Sequence, residues 1–436
     1  MRKRPLTFLC MALCVVGTVG ANNKEYLDFE GWTPEQQWTI GDINCTYGTR
    51  EFNEHTQKRV YTIGVHAPAG VEKAMNEFNM TFETYLTEVV GKRFDPPIEF
   101  KMKATEWPLH SWIDLEEEVD FMYSDTGLYS CIGTEIGAQP LATTIASLDS
   151  RGNHYELDIY AGKLIQQEGC HLLFTGPANF DFFAFIEGTI LALASNDNIN
   201  TIEDLKDKKI AGQAFSVFAA GQSQFWVMRK AGLDYIMDPK QVLFTGNHDE
   251  TVRGVLNGDW DVGFVPSGRA ERTLDEETGE YIDSSVFKVI EPKIAIMSNG
   301  DLFPFLHSTP VFPEWPLYAK KEVDMEVAEE VAVAMINFGA HKKVGVEIHR
   351  CMENAETPEE LEICNTMPPV YFDPAARCDT TRELAELAYQ AGKAGLHSGM
   401  RPARSHFQVR TMQQDAGFII QTDGKGRFHD THDNEL

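Results

Sequence analysis

Between Arg59 and Val265, short runs that read as buried strands alternate with longer runs carrying one apolar stripe, and this alternation leaves few folds open. "RVYTIGV" (59–65) precedes "GVEKAMNEFNMTFETYLTEVVGK", in which Ala74, Phe78, Phe82, Tyr85 and Val89 share one helical face. "PIEFKMK" and the run from Val119 to Tyr123 read as the next strands. After an aromatic, glycine-bearing stretch the pattern resumes. "GTILALAS" is a strand, "TIEDLKDKKIAGQ" a helix, turn and strand, and "SVFAAGQSQFWVMRKAGLD" a helix closed by Gly232. "QVLFTG", "HDETVRGVLNGD" and "WDVGFV" complete a second strand–helix–strand series. The expected class is α/β, with mostly parallel sheets flanked by helices.

The 436 residues, 43% hydrophobic, suffice for a large core divided between two lobes. "MRKRPLTFLCMALCVVGTVGA" (1–21) has a basic start, an apolar run of roughly 14 residues and small residues at its end, the pattern of a secretory signal peptide. That run is too short to span a bilayer, so no direct membrane insertion is expected. Removing it takes the formal charge from −28 to about −31. Such an acidic chain with no basic stripe is no partner for nucleic acid.

Six cysteines would remain of the eight, namely Cys45, Cys131, Cys170, Cys351, Cys364 and Cys378, an even number suited to disulfides in an oxidising compartment. Of the 15 pairings that three bridges allow, only Cys351 with Cys364 is locally easy. Asn44-Cys45-Thr46 and Asn79-Met80-Thr81 are glycosylation sequons, so a glycoprotein is an expectation in a eukaryotic host. The last four residues, Asp433 to Leu436, differ at two positions from the Lys/His-Asp-Glu-Leu retrieval signal. A secreted or extracytoplasmic location is expected, with the endoplasmic-reticulum lumen as the alternative.

Open α/β sheets bind ligands beyond the carboxyl ends of their strands, where helix starts offer unpaired N–H groups. Three turns occupy that place, Ser124 to Gly127, Phe215 to Gln222 and Thr245 to Asp249. Helix capping alone accounts for any one of them. Three converging turns point further, to a ligand site.

"TIEDLKDKKIAGQAF", "GQSQFWVMRKAGLD", "FTGNHDETVRGVLNGDWDVGFVPSG" and "FPEWPLYAKKEVDMEVAEEVAVAMINF" resemble, in order and spacing, the periplasmic phosphate/phosphonate-binding family of solute-binding proteins. The likeness is strongest to the version that forms the sensor domain of tetrathionate-type sensor kinases, and it covers roughly 58–340. The resemblance implies a two-lobed periplasmic-binding-protein-like fold of type II, with a hinge, closing on a small oxyanion such as phosphate or a phosphonate. It places lobe one at 58–185 and 268–345, with an insertion at about 151–181, and lobe two at 186–267. An irregular leader (22–57) and a C-terminal extension with one helix and a polar tail (346–436) flank them.

The same resemblance supplies the site. Ser124, Asp125, Thr126 and Tyr129 match a ligand-facing turn, and Ser216, Ala219, Ala220 and Gln222 match a helix start whose hydroxyl and N–H groups take the oxyanion. Here Val217-Phe218-Ala219-Ala220 replaces the family's hydroxyl-rich or Gly-Gly forms, so hydroxyl contacts are fewer. Asn247 and His248 match a helix start, Asp261 an acid opening the next strand, and Ser267 the hinge. For His248, capping or packing is an equal alternative to ligand contact. A carboxylate at Asp261 would only accept hydrogen bonds, which favours a ligand still carrying a proton; holding hinge N–H groups is the alternative. Asp125 stands where the sensor-like relatives carry an amide, a change compatible with a protonated ligand, a metal-bound one or no oxyanion.

"FPEWPLY" is expected to pack on lobe one, with Trp315 in the core rather than as a lid. "CDTTRELAELAYQAGKAGLHSGM" carries a capping box at Thr380 and Glu383 and an apolar stripe at Leu384, Leu387, Ala388 and Ala391. It is a helix that needs a surface to pack on. His429 and His432 read as part of a free polar tail rather than a metal site. No P-loop, Gly-x-Ser-x-Gly elbow or His-Glu-x-x-His motif occurs. The expected function is therefore solute binding with no cofactor, no metal and no catalysis, and a membrane receptor or transporter as the onward partner. The alternatives are a divergent two-lobed enzyme on a phosphorylated or sulfur compound, or an interaction module with a vestigial cleft.

Overall fold

The computed structural model describes residues 50–67, 70–105, 118–130, 137–144, 185–215, 217–293, 305–366, 382–394, 400–422 and 425–428. The signal segment, most of the leader, the insertion, the polar tail, Ser216, and Cys45, Cys131, Cys170 and Cys378 lie outside the described residues.

Lobe one is built on four strands of its first half, β1 (Val60–His66), β2 (Glu99–Thr105), β3 (Phe121–Tyr123) and β4 (Gln139–Thr144). β1 is buried on both faces over most of its length, as a central parallel strand must be, with β2 and β3 beside it. Its helix begins as α1 (Val71–Asn79), widens into a π segment at Met80–Tyr85 and returns to α at Leu86–Val89. Phe82, Tyr85 and Val89 all reach the core, as their shared stripe requires. Glu83 Oε1 accepts the Met102 N–H at 2.7 Å and Thr87 Oγ1 the Phe100 N–H at 3.0 Å. The helix thereby satisfies donors that β2, at the sheet edge, would otherwise leave open.

Lobe two contains β5 (Gly188–Leu193), β6 (Lys209–Gly212), β7 (Gln241–Phe244), β8 (Val262–Pro266) and β9 (Phe287–Val289), in the order β7-β6-β8-β5-β9. Its helices are α2 (Gln222–Lys230) and α3 (His248–Asn257). The expected boundary at 267 is corrected, because β9 pairs antiparallel with β5 and Ala270, Ile282 and Phe287 share a core cluster with Val252 and Val265. Lobe two therefore continues past Val289.

The chain returns through a two-residue ladder, Phe312 opposite Ile186, into β10 (Pro316–Ala319), which lies between β3 and β4. β10 and β5 enter their sheets from the crossing and so run against the strands that lead towards it. Each sheet is consequently a parallel trio beside a reversed strand, with a fourth strand beyond it running with the trio, so most strands of each sheet run one way as expected.

The C-terminal region holds more than one helix. α4 (Met325–Asn354), capped by Asp324 on the N–H groups of Glu326 and Val327, buries Val327, Val331, Met335 and Phe338 against lobe one. α5 (Pro358–Thr366) is tied to it by the disulfide Cys351–Cys364, the pair singled out by spacing. α6 (Arg382–Ala394) lays its expected stripe on α4. A Cβ at Gly345 would fall 2.4 Å from the Ala385 carbonyl, so the two helices approach this closely only over a glycine.

β11 (Met400–Pro402) then completes the lobe-one sheet, ordered β11-β4-β10-β3-β1-β2, and α7 (Phe407–Ala416) crosses to lobe two. Val409, Met412 and Ala416 of α7, and Phe418 beyond it, belong to the lobe-two core. The segment 400–418 is a strap with one end in each lobe. Among the described residues, no helix is long and apolar enough to cross a membrane.

Candidate functional site

The strands that lead towards the crossing, β1, β3, β6 and β8, end on one cavity of about 310 Å³. From lobe one it is lined by His66, Phe78, Tyr123, Asp125, Glu314 and Trp315. Lobe two contributes Ile186, Gln213, Val217, Ala219, His248 and Pro266. The size is that of a small-molecule site, and no lysine or arginine is among these residues.

On the lobe-one side, Trp315 lies 5.6 Å from the His66 ring and nearly parallel to it, and 5.4 Å from Tyr123; Phe78 meets Tyr123 edge-on at 5.4 Å. Trp315 thus packs on the lobe-one core as expected and also walls the cavity, which was not expected. Burial raises the Tyr123 hydroxyl well above the usual phenol range, and the Thr144 hydroxyl donates to it at 3.0 Å. Burial lowers His66 to about 3, so its ring is neutral at physiological pH.

Asp125 sits at the end of β3, caps the short turn Thr126–Leu128 and accepts the Gly127 N–H at 2.8 Å. Burial raises its carboxyl to about 7, against the pull of backbone N–H groups from Gly127, Leu128 and Phe218. Phe218 belongs to lobe two, so backbone N–H groups of both lobes act electrostatically on this carboxyl. The lobe-two turn is held in place by Gln224, whose Oε1 accepts the Gly221 N–H at 3.0 Å and whose Nε2 donates to the Ala219 carbonyl at 2.6 Å. At Gly212 a Cβ would come within 2.8 Å of the Ala220 carbonyl, so glycine lets that turn close onto the end of β6.

Glu314 faces the same space. Burial raises it to about 8, the charge of Asp125 adds to the rise, and Arg272 opposes it. Its Oε2 is buried with no hydrogen-bond partner among the described residues. Behind the cavity, at the crossing, Glu187 is buried and raised well above the carboxylate range, chiefly by burial. The Ser267 hydroxyl donates to it at 2.5 Å.

The residues expected at the site divide into two groups. Asp125, Ala219 and His248 line the cavity. Burial lowers His248 to about 3, and its Nδ1 is buried without a partner among the described residues. Its neighbour Asn247 is exposed and caps α3, accepting the Asp249 N–H at 2.7 Å.

The other expected residues are not among those lining the cavity. Ser124 hydrogen-bonds the Tyr318 hydroxyl at 3.0 Å, Thr126 donates to the Pro313 carbonyl at 2.7 Å, and Tyr129 packs on Tyr318 and His406. Ala220 is buried, and Gln222 Oε1 is occupied by Gln413 Nε2 at 2.9 Å. Ser267 is turned to Glu187. Asp261 accepts the Lys209 N–H at 2.8 Å where β6 begins, at the edge of the sheet opposite the cavity, which is where a residue preceding β8 has to lie. Of the lining residues not expected, His66, Gln213, Pro266, Glu314 and Trp315 stand at strand ends or crossings and Phe78 lies in α1. Chain direction was the one available signal for them. Among the described residues, no cluster of three or more His, Cys, Asp or Glu could hold a metal ion.

A family model described as the periplasmic substrate-binding protein of phosphonate ABC transporters matches residues 82–350, more than half of the chain. The chain belongs to that family. Solved structures similar to this member include a Xanthomonas citri protein bound to ATP, 11% identical with a TM-score of 0.44, covering 77% of this chain and 99% of that one. PhnD1 from Prochlorococcus marinus in complex with methylphosphonate is 11% identical with a TM-score of 0.45, covering 82% and 98%. A binding component of a phosphonate ABC transporter from Pseudomonas aeruginosa is 13% identical with a TM-score of 0.43, covering 77% and 98%. Membership rests on the family match and not on these. No curated protein matches the chain.

Proposed function

We propose that this substrate-binding family member is an extracytoplasmic protein that captures a small solute between its lobes and closes on it, without turning it over. The supporting observation is the cavity of about 310 Å³ lined from both lobes at the carboxyl ends of their forward strands. A solute there touches both lobes and so favours the closed arrangement. The crossings at Glu187 and at Pro266–Ser267 are the hinge about which closure would occur. Family membership supports the location, and a membrane transporter or receptor is the partner that would take over the solute.

An oxyanion, as the resemblance implies, has one specific support in the N–H groups of Gly127 and Phe218 beside the cavity. Those donors already serve the Asp125 carboxyl. A phosphate or phosphonate would therefore enter with Asp125 and Glu314 protonated and donating, and its affinity would rise as pH falls.

The test is a thermal-shift screen with phosphate, phosphite, methylphosphonate, sulfate, tetrathionate and bicarbonate at about pH 6 and about pH 8, followed by X-ray scattering with any hit. A ligand at 100 times its Kd adds about 2.7 kcal/mol. A hit with a smaller radius of gyration supports capture by closure; binding with no change in scattering removes the closing step, and substrate turnover would replace the binding reading by an enzymatic one.

A further inference from the structure

The cavity is an unusual receptor for an anion. Its lining holds two carboxyl groups, Asp125 and Glu314, and no lysine or arginine. The Gly127 N–H, a donor that could serve an oxyanion, already points at Asp125 at 2.8 Å. Three aromatic rings, Phe78, Tyr123 and Trp315, form one wall, linked ring to ring at 5.4 Å. Glu314 Oε2 is buried in the same space without a partner among the described residues, an acceptor with capacity to spare.

Aromatic faces attract cations through the ring quadrupole, and a positive charge beside a buried carboxyl favours its ionised form. An anion would gain neither and could enter only with both carboxyls kept protonated. We propose that the cavity takes an organic ammonium, a protonated amine or quaternary ammonium group, with the Asp125 and Glu314 carboxylates as counter-charges and the rings of Phe78, Tyr123 and Trp315 as its wall. This rests on the reading of the cavity as the place of solute capture.

The electrostatic surroundings agree. Glu187 behind Glu314 is held protonated by burial and adds no charge; His66 and His248 on the two walls are neutral, the Tyr123 hydroxyl stays protonated, and Arg272 and Arg269 are the nearby positive charges, acting on Glu314 and His248. A bound ammonium supplies the charge that lets Asp125 and Glu314 ionise together. Binding therefore releases protons, and affinity rises with pH, the opposite of what an oxyanion in the same cavity would show.

The experiment is isothermal titration of the full chain with choline, with its neutral isostere 3,3-dimethylbutan-1-ol, and with methylphosphonate, at about pH 6 and about pH 8.5. Choline carries a charge that does not titrate, so the pH response belongs to the protein. The expected result is choline binding that tightens about tenfold between those two pH values and exceeds the isostere about tenfold or more. Glu314→Gln and Trp315→Ala should each weaken choline about tenfold, while Trp315→Phe, which keeps a ring, stays within about threefold of the wild type. Isostere binding as tight as choline, or choline binding that weakens as pH rises, overturns the inference. Methylphosphonate binding without choline overturns it while leaving solute capture intact. Failure of all three probes on a chain that melts cooperatively counts against both.

Discussion

The carboxyl of Glu314 feels the charge of Asp125 across the cavity, so an acid that follows β3 helps hold the proton on one that precedes β10. Burial is the larger cause for both, and it places Asp125 at about 7 and Glu314 at about 8.

These protons give stability a pH dependence. In the unfolded chain both groups titrate near the ordinary values of 3.8 and 4.5, so between there and about 8 the folded chain binds more protons than the unfolded one. Stability is then lost as pH rises through that window. His66 and His248, lowered to about 3 from 6.5, work in the opposite sense below 6.5, where only the unfolded chain would charge them. Between pH 6.5 and 8 the acids dominate, each contributing at most about 1.4 kcal/mol per pH unit. Urea unfolding across that interval should show the loss, and Glu314→Gln should flatten it; an unchanged slope would mean that Glu314 is already ionised in the folded chain.

Gln413 of the strap donates from Nε2 both to the Gly127 carbonyl in lobe one and to Gln222 Oε1 in lobe two, at 3.0 and 2.9 Å. Gln413→Ala strands two buried acceptors and should cost about 1–3 kcal/mol. Because the lost bonds join the lobes, small-angle scattering of the variant should also show a larger radius of gyration. Destabilisation without that expansion would make the residue a packing element only.

The disulfide Cys351–Cys364 closes a short loop, with a sequence separation of 13 residues, between α4 and α5. A double Cys351→Ser, Cys364→Ser variant should lose about 2–4 kcal/mol of stability. Hydrogen exchange should localise the loss to α5 and leave the cavity strands protected; loss of protection in β1 or β8 would show that the bridge supports the whole fold.

Asp261→Asn should leave solute affinity within about twofold of the wild type, because its carboxylate serves the Lys209 N–H at the far edge of the sheet. A larger change in titration calorimetry, or a shifted pH profile, would bring Asp261 back into the site.

The alternation of strands and helices and the Cys351–Cys364 pairing were legible because both are local, written in residue spacing. Asp125 and His248 were legible because they sit at helix starts, where the turn chemistry is also local. Glu314 and Trp315 were not, since they precede β10, which joins β3 through pairings such as Leu317 with Tyr123 across almost 200 residues. Asp261 lies away from the cavity for a reason of chain direction. It precedes its strand, so it belongs to the amino edge of the sheet, whereas the cavity lies at the carboxyl edge. Ser124 and Thr126 look like ligand hydroxyls in a linear reading, but both are spent on internal partners, Tyr318 and the Pro313 carbonyl.

The strap also sets an order of assembly. Lobe two can pair all its strands from one unbroken stretch, Gly188 to Val289. Lobe one needs strands from three separate parts of the chain, and its outer edge at β4 stays open until Met400–Pro402 pairs with Ala142–Thr144. During synthesis, lobe two is thus the half able to form its sheet first, while β4 waits as an unpaired edge through the emergence of some 250 further residues, a period in which chaperone cover matters most.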